Sequence, residues 1–150
     1  MKTLKKLIEE YLSEAKLMQI ATSRNGQPWA CSVYFAYDNK FNLYWISTPK
    51  RRHSKEIVDN ERVAGTIVLP HTPGQDVRGI SFEGTAKEVK GKAALPALLL
   101  YAKRFGMSLI RVNKIVANKD AHVCYCIKPN LIVLFDEVNF PKDPRQEYKL

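Results

Sequence analysis

Two tight turns early in the chain constrain its fold more than any other feature. Asn25-Gly26 separates Leu17 to Ser23 from Pro28 to Tyr37, and both turn residues tolerate the positive φ that a two-residue hairpin requires. Asp38-Asn-Lys-Phe-Asn42 turns the chain again ahead of Leu43 to Thr48. The spacing predicts three consecutive strands, each returning on the last.

Around them the apolar pattern changes period. Leu4, Leu7, Ile8, Tyr11 and Leu12 recur at three- and four-residue steps, which predicts an amphipathic helix over 3–16 with Thr3 near its start. A short helix is expected at about 53–60, a strand at 63–69, and a surface loop over the breaker-rich 70–76. Strand 77–90 follows, with Gly79 and Gly84 marking places where another backbone or a ligand comes close. Leu95, Leu98, Leu99, Ala102 and Phe105 define a second helix, ended by Gly106 as a left-handed cap and carrying Lys103 and Arg104 at its negative end. Residues 107–120 stay open, with a further short helix as one option. Two last strands are expected at 121–127 and 131–138, split by Pro129-Asn130. The polar tail 141–150 carries two prolines and leaves disorder and a contact with another subunit both open.

No internal repeat or linker interrupts this order, so 1–150 reads as one domain. A chain of this length buries roughly 70% of the surface it exposes when unfolded and needs no covalent or metal staple. Strands in series with a helix at the start and helices inserted late predict a mainly β, α+β fold: a small antiparallel barrel with helical appendages.

The longest apolar runs fall short of a membrane span, and Glu9 and Glu10 stand where a signal peptide would have its apolar centre, so a soluble, cytoplasmic protein is expected. Cys31, Cys124 and Cys126 cannot all pair within one chain and read as reduced core thiols; His53, His71 and His122 have no ligand spacing with them, so no metal site is expected. The formal charge of +9 implies an anionic partner. The bases are scattered rather than gathered in a stripe with aromatics, which weighs against nucleic acid.

One place concentrates them. Strand 43–48 runs into Ser47, Thr48, Lys50, Arg51, Arg52, His53, Ser54 and Lys55, immediately before the short helix. Arginine forks, hydroxyls and helix-start amides are phosphate donors, although a solvated basic turn has the same composition. Phosphate loops, dinucleotide turns and zinc helices are all missing, and Gly79 to Gly84 is too long for a nucleophile elbow. An aromatic-rich wall ending in cations suits a flat heteroaromatic ring joined to a phosphate. Such a cofactor brings its own redox chemistry.

The order Gly26-Gln-Pro28, Tyr44-Trp-Ile-Ser-Thr48, Arg52-His-Ser54, Asn60-Glu-Arg-Val63 and Arg78-Gly-Ile-Ser-Phe-Glu-Gly84 resembles the pyridoxamine 5'-phosphate oxidase-like superfamily of flavin-binding split barrels, over about residues 5 to 140. Within it the chain is similar to small uncharacterised bacterial proteins with Arg-His in the turn and a late helix like Tyr101-Ala-Lys-Arg-Phe105. The resemblance implies a six- to seven-stranded antiparallel split β-barrel, noncovalent flavin mononucleotide (FMN), and a homodimer whose second subunit completes the pocket. It places Cys31, Ser32, Val33 and Tyr34 along the flavin-flanking strand, Ile46, Ser47 and Thr48 by the ring, and Arg52 with His53 on the phosphate.

The implied activity is an FMN-dependent oxidoreductase passing electrons between a nicotinamide nucleotide and a small acceptor. The alternative is a non-enzymatic module holding haem, a deazaflavin or a nucleotide. Cys31 and Ala36 stand where the oxidases have arginine and lysine, Gly79 replaces an amide side chain, and the C-terminal substrate segment has no counterpart. Oxidation of pyridoxamine phosphate itself is therefore not expected.

Overall fold

Thr3 opens the first helix, α1 (Leu4–Glu14), by accepting a hydrogen bond from the Lys6 amide, and the predicted stripe of Leu7, Ile8, Tyr11 and Leu12 is buried. The computed structural model describes residues 1–150 throughout. Strands β1 (Leu17–Arg24) and β2 (Gln27–Tyr34) pair from Leu17↔Tyr34 to Arg24↔Gln27, and the turn between them holds Asn25 at φ 51° and Gly26 at φ 76°.

The predicted strand 28–37 breaks at Phe35. There the chain leaves β2, buries the ring completely, and donates the Phe35 amide to the Lys16 carbonyl. It resumes as β3 (Ala36–Tyr37), which pairs with β4 (Leu43–Ser47). Next come α2 (Arg52–Asp59), β5 (Arg62–Val68) and β6 (Arg78–Val89), then a short 3-10 turn leading into α3 (Leu95–Phe105) and α4 (Leu109–Val116). Gly106 ends α3 at φ 76° as expected, and Ser108 caps the helix that fills part of 107–120. No helix is long and apolar enough to cross a membrane.

The strand order is β2-β1-β5-β6-β7-β4-β3, antiparallel at every pairing, with β7 (Val123–Asp136) central and also paired to β8 (Arg145–Lys149). This is a curled, split β-barrel of the α+β class. Its interior holds Met18, Ile20, Phe35, Phe41, Trp45, Ile67 and Ile127, closed below by α1. The α3–α4 hairpin makes a smaller cluster against the opposite face of β4, where Tyr44 and Ile46 pack. Arg104 of α3 ties the helices together by donating to the Leu12 and Ala15 carbonyls at the end of α1, with its guanidinium over Phe35 at 5.0 Å.

Two expectations need correction. The strands expected at 121–127 and 131–138 are one strand, because a bulge absorbs the proline. The β6–β7 register shifts between Glu83 and Gly84, so Pro129 faces Gly84, Leu131 faces Glu83, and Asn130 is the extra residue. Gly84 is required there, since a Cβ would lie 2.8 Å from the Lys128 carbonyl carbon and from the Pro129 Cα. The tail is ordered within this chain: residues 145–149 form β8 along Leu131–Phe135, and the Leu150 amide donates to the Asn130 carbonyl.

Candidate functional site

β2 and β3 are the two ends of the sheet, and the chain passes directly from one to the other at Phe35. Beyond that crossing the barrel is open. β2 pairs only with β1, and β3 reaches only Leu43 and Tyr44, so the seam-side backbone groups of Trp45, Ile46 and Ser47 have no strand partner. Two facing edges with unspent N–H and C=O groups offer hydrogen bonds to a planar heterocycle. Cys31 to Tyr34 lie along one edge and Ile46 to Thr48 on the other, and α2 begins where the seam ends.

α2 enters the barrel mouth with an unusual buried face: His53, Ser54, Glu56 and Ile57. Three of these four are polar, so each hydrogen bond matters. The His53 ring, 6% exposed, lies 3.0 Å from the Ser47 hydroxyl through Nε2 and 3.4 Å from the Cys31 thiol through Nδ1. Three predicted site residues thus form one chain from β2 through α2 to β4. Burial, helped by Arg51, lowers the histidine pKa below its ordinary value against the pull of Glu56, which favours the neutral ring. Burial and Glu56 together raise the Cys31 pKa, keeping it a thiol.

Arg52 is placed quite differently. Its Nε–H donates to Glu56 Oε1 at 2.8 Å, and its guanidinium lies 4.3 Å from the Trp29 ring centre. Glu56 is 3% exposed and accepts a second bond, at 2.5 Å, from the Thr22 hydroxyl. Thr22 and Trp29 are cross-strand partners on β1 and β2, so both present their side chains to the helix. The Thr22 and Arg52 hydrogen bonds hold the Glu56 pKa down against burial. With Nε committed and one face covered, the Arg52 Nη groups have no partner within the chain and remain available. Lys50, Arg51 and Lys55 are exposed and unpaired, and no side chain caps α2.

The other predicted positions divide. Ser32 and Tyr34 are exposed on the edge, with Tyr34 5.4 Å from the Phe105 ring; Val33 packs against the core, and Ile46 against the α3–α4 cluster. Ala36 is buried beneath the crossing, and Gly79 lies in β6, opposite Val68. A concave surface of about 1160 Å³ lies elsewhere, between α1, the β3–β4 turn and α3, and mixes Lys6, Glu9, Glu10, Lys16 and Lys103. Sequence reasoning missed Glu56 and Thr22. Glu56 stood four residues after Arg52, a spacing that brings side chains together on a helix; nothing marked Thr22.

On the outer sheet face, Ala30, Ala21, Ala64, Glu83, Leu131 and Lys149 align in one cross-strand row. Its β2, β1 and β5 positions are all alanine, and Val68 and Phe135 are exposed on the same sheet.

Comparison with known proteins agrees with this architecture. A UPF0306 protein of Pasteurella multocida is 30% identical over 106 residues, covering 70% of this chain and 71% of its own. A heme binding protein from Mycobacterium smegmatis superposes with a TM-score of 0.78 at 11% identity, over 99% of this chain; the chain spans 59% of that protein. HutZ, a heme storage protein from Vibrio cholerae, gives 0.67 at 17% identity over 85% of this chain and 91% of its own. At such identities the two structures speak for the fold alone. Residues 4–132, from the first helix into the central strand, match the family described as pyridoxamine 5'-phosphate oxidase, and to that family the chain belongs.

Proposed function

We propose that this chain binds FMN noncovalently across the barrel seam, as a homodimer, and serves as an oxidoreductase acting on a small substrate other than pyridoxamine phosphate. The observation that carries the reading is the pairing of two unspent strand edges with a guanidinium held ready at their end. The edges of β2 and β4 would meet the ring. Arg52, the Thr48 hydroxyl and the uncapped amides of α2 would meet the phosphate, with Lys50 and Arg51 adding charge. Bound flavin supplies the electron chemistry, so the protein need only hold, orient and shield it.

His53 plays a different part in this reading from a direct phosphate contact. Its two nitrogens are spent on Ser47 and Cys31, so it fixes both walls of the seam rather than gripping the anion. The outer face, with alanines on β2, β1 and β5, suits a second copy of the chain, which would cover the ring from the far side.

Freshly purified protein gives the test. Heat release followed by an absorbance spectrum reads bound flavin, and titration of stripped protein with FMN reads affinity. Protein that carries no flavin and takes up none contradicts the proposal. A second reading, a non-enzymatic module for haem or another planar anion, draws on the fold shared with a heme binding protein and a heme storage protein and on the withdrawal of His53 from the anion. A thermal-shift panel of FMN, riboflavin, haem and a deazaflavin separates the two, because a ligand that binds only the folded state raises its midpoint.

A further inference from the structure

Glu56 is the one fully buried acid in the barrel mouth, and it holds Arg52 by a single nitrogen. We infer that Glu56 is a positioning residue for anion recognition: together with Trp29 and Thr22 it aims the Nη pair of Arg52 at a terminal phosphate. This rests on the FMN reading and deepens it.

The geometry separates Arg52 from every other cation nearby. The side chains of Lys50, Arg51 and Lys55 are exposed and unpaired, their residues bonding within the chain only through the backbone, and Arg24 pairs with Asp59 at 2.8 Å with both side chains about half exposed. Arg52 alone has its Nε fixed by a buried carboxylate and its face covered by an aromatic ring. An arginine so held loses little further rotamer freedom on binding, and its two remaining nitrogens match two oxygens of a phosphomonoester. Fold stability gives a weak reason for the arrangement, because a buried ion pair is often no better than an apolar side chain of similar volume. Glu56 is itself held by Thr22, so the guanidinium is referenced to β1 and β2, the strands that form one wall of the seam.

Charge and position predict opposite signs on substitution. Removing the carboxylate makes the site more positive, so charge alone would tighten phosphate binding in Glu56→Gln and Glu56→Ala equally. Positioning predicts that Gln, whose amide oxygen can still accept from Nε–H, keeps the wild-type preference for FMN over riboflavin within about threefold, while Ala lowers it by about tenfold or more. Riboflavin lacks only the phosphate, so a general loss of structure would weaken both ligands together and leave their ratio unchanged.

The experiment measures both flavin affinities for wild type, Glu56→Gln and Glu56→Ala, and repeats the titration with inorganic phosphate while following the Arg52 Nε–H resonance. A selective loss of FMN in the alanine variant, rescued in the glutamine variant, is expected. If wild type binds neither flavin but phosphate still shifts the Arg52 resonance in wild type and Gln and not in Ala, the flavin reading fails and the positioning role stands. Equal FMN-to-riboflavin ratios in all three proteins, or no phosphate response in wild type, overturn the inference.

Discussion

Replacing Gly84 with alanine tests whether the β6–β7 bulge fixes the register of the central strand. The added Cβ would meet backbone, not a movable side chain: 2.8 Å to the Lys128 carbonyl carbon, 2.8 Å to the Pro129 Cα, and closer still to the Lys128 oxygen. Ordinary carbon contacts lie near 3.5–4.0 Å, so relief requires the two strands to part by several tenths of an ångström at a point where β7 already lacks a proline amide. Overpacking of this kind costs about 1–3 kcal/mol, and the immovable partner puts Gly84→Ala near ~3 kcal/mol before the ~0.4–1 kcal/mol returned by the stiffer unfolded chain. Gly79→Ala supplies the control within the same strand. Its nearest neighbour is the Ile67 carbonyl at 3.2 Å, and the two terms nearly cancel to within about 1 kcal/mol. Urea midpoints at constant m-value read the difference, and the corresponding fall in Tm for Gly84→Ala is roughly 4–10 °C for a chain of this length. Equal losses in the two variants would refute the claim that Pro129 is tolerated because Gly84 makes room for it.

Acid stability should fall in two separable steps. The His53 pKa is lowered by burial, so stability is fully present above the ordinary value of 6.5 and is lost as pH falls below it, because the unfolded chain takes up the proton first. The Glu56 pKa is lowered by Thr22 and Arg52, so its contribution is present above the ordinary 4.5 and lost as pH falls toward the depressed folded value. Urea midpoints measured from neutral pH to about pH 3 should lose the upper step in His53→Gln and the lower step in Glu56→Gln; an unchanged profile in either variant removes the corresponding assignment. Iodoacetamide under native conditions should label Cys31 first, since burial raises the Cys124 pKa to about 12 and the Cys126 pKa to about 11, and mass spectrometry that found Cys124 modified first would contradict that order. Ala64→Arg, placed within the alanine row of the outer face, should convert the proposed dimer to monomer in sedimentation velocity while leaving the far-ultraviolet spectrum unchanged; a sedimentation coefficient equal to wild type would move the interface elsewhere.

Local rules carried the sequence reading wherever the physics is local. Thr3, Asn25-Gly26 and Gly106 set the conformations they were expected to set, and the period of Leu4 to Leu12 gave α1 its buried face. Gly84 is the close backbone approach that its place in the strand implies. The misses have long-range causes. Pro129 ends a strand by every local criterion, and only the bulge opposite Gly84, 45 residues earlier, lets β7 continue. The tail strand Arg145-Gln-Glu-Tyr-Lys149 is polar almost throughout and has no hydrophobic run, so it exists because β7 offers an edge. Phe35 interrupts an otherwise continuous apolar segment because the chain passes there from one end of the sheet to the other.

The site was legible as far as the strands and the basic turn could place it, and illegible where α2 turns its face inward. Hydrophobic periodicity sets the phase of most helices, but here the buried face is His53, Ser54, Glu56 and Ile57, of which only Ile57 is apolar. A sequence that spends two ionisable side chains and a serine inside a barrel mouth breaks the rule that elsewhere organises this protein. Such departures persist where a site requires them. The two ionisable groups do separable work. His53 joins Cys31 on β2 to Ser47 on β4, setting the width of the seam, while Glu56 joins Thr22 on β1 to Arg52, setting the direction of the only restrained cation at its end. Under the proposed function, width would select what can lie flat between the edges and direction what anion it can carry, so the inward face of one short helix would govern both halves of ligand choice.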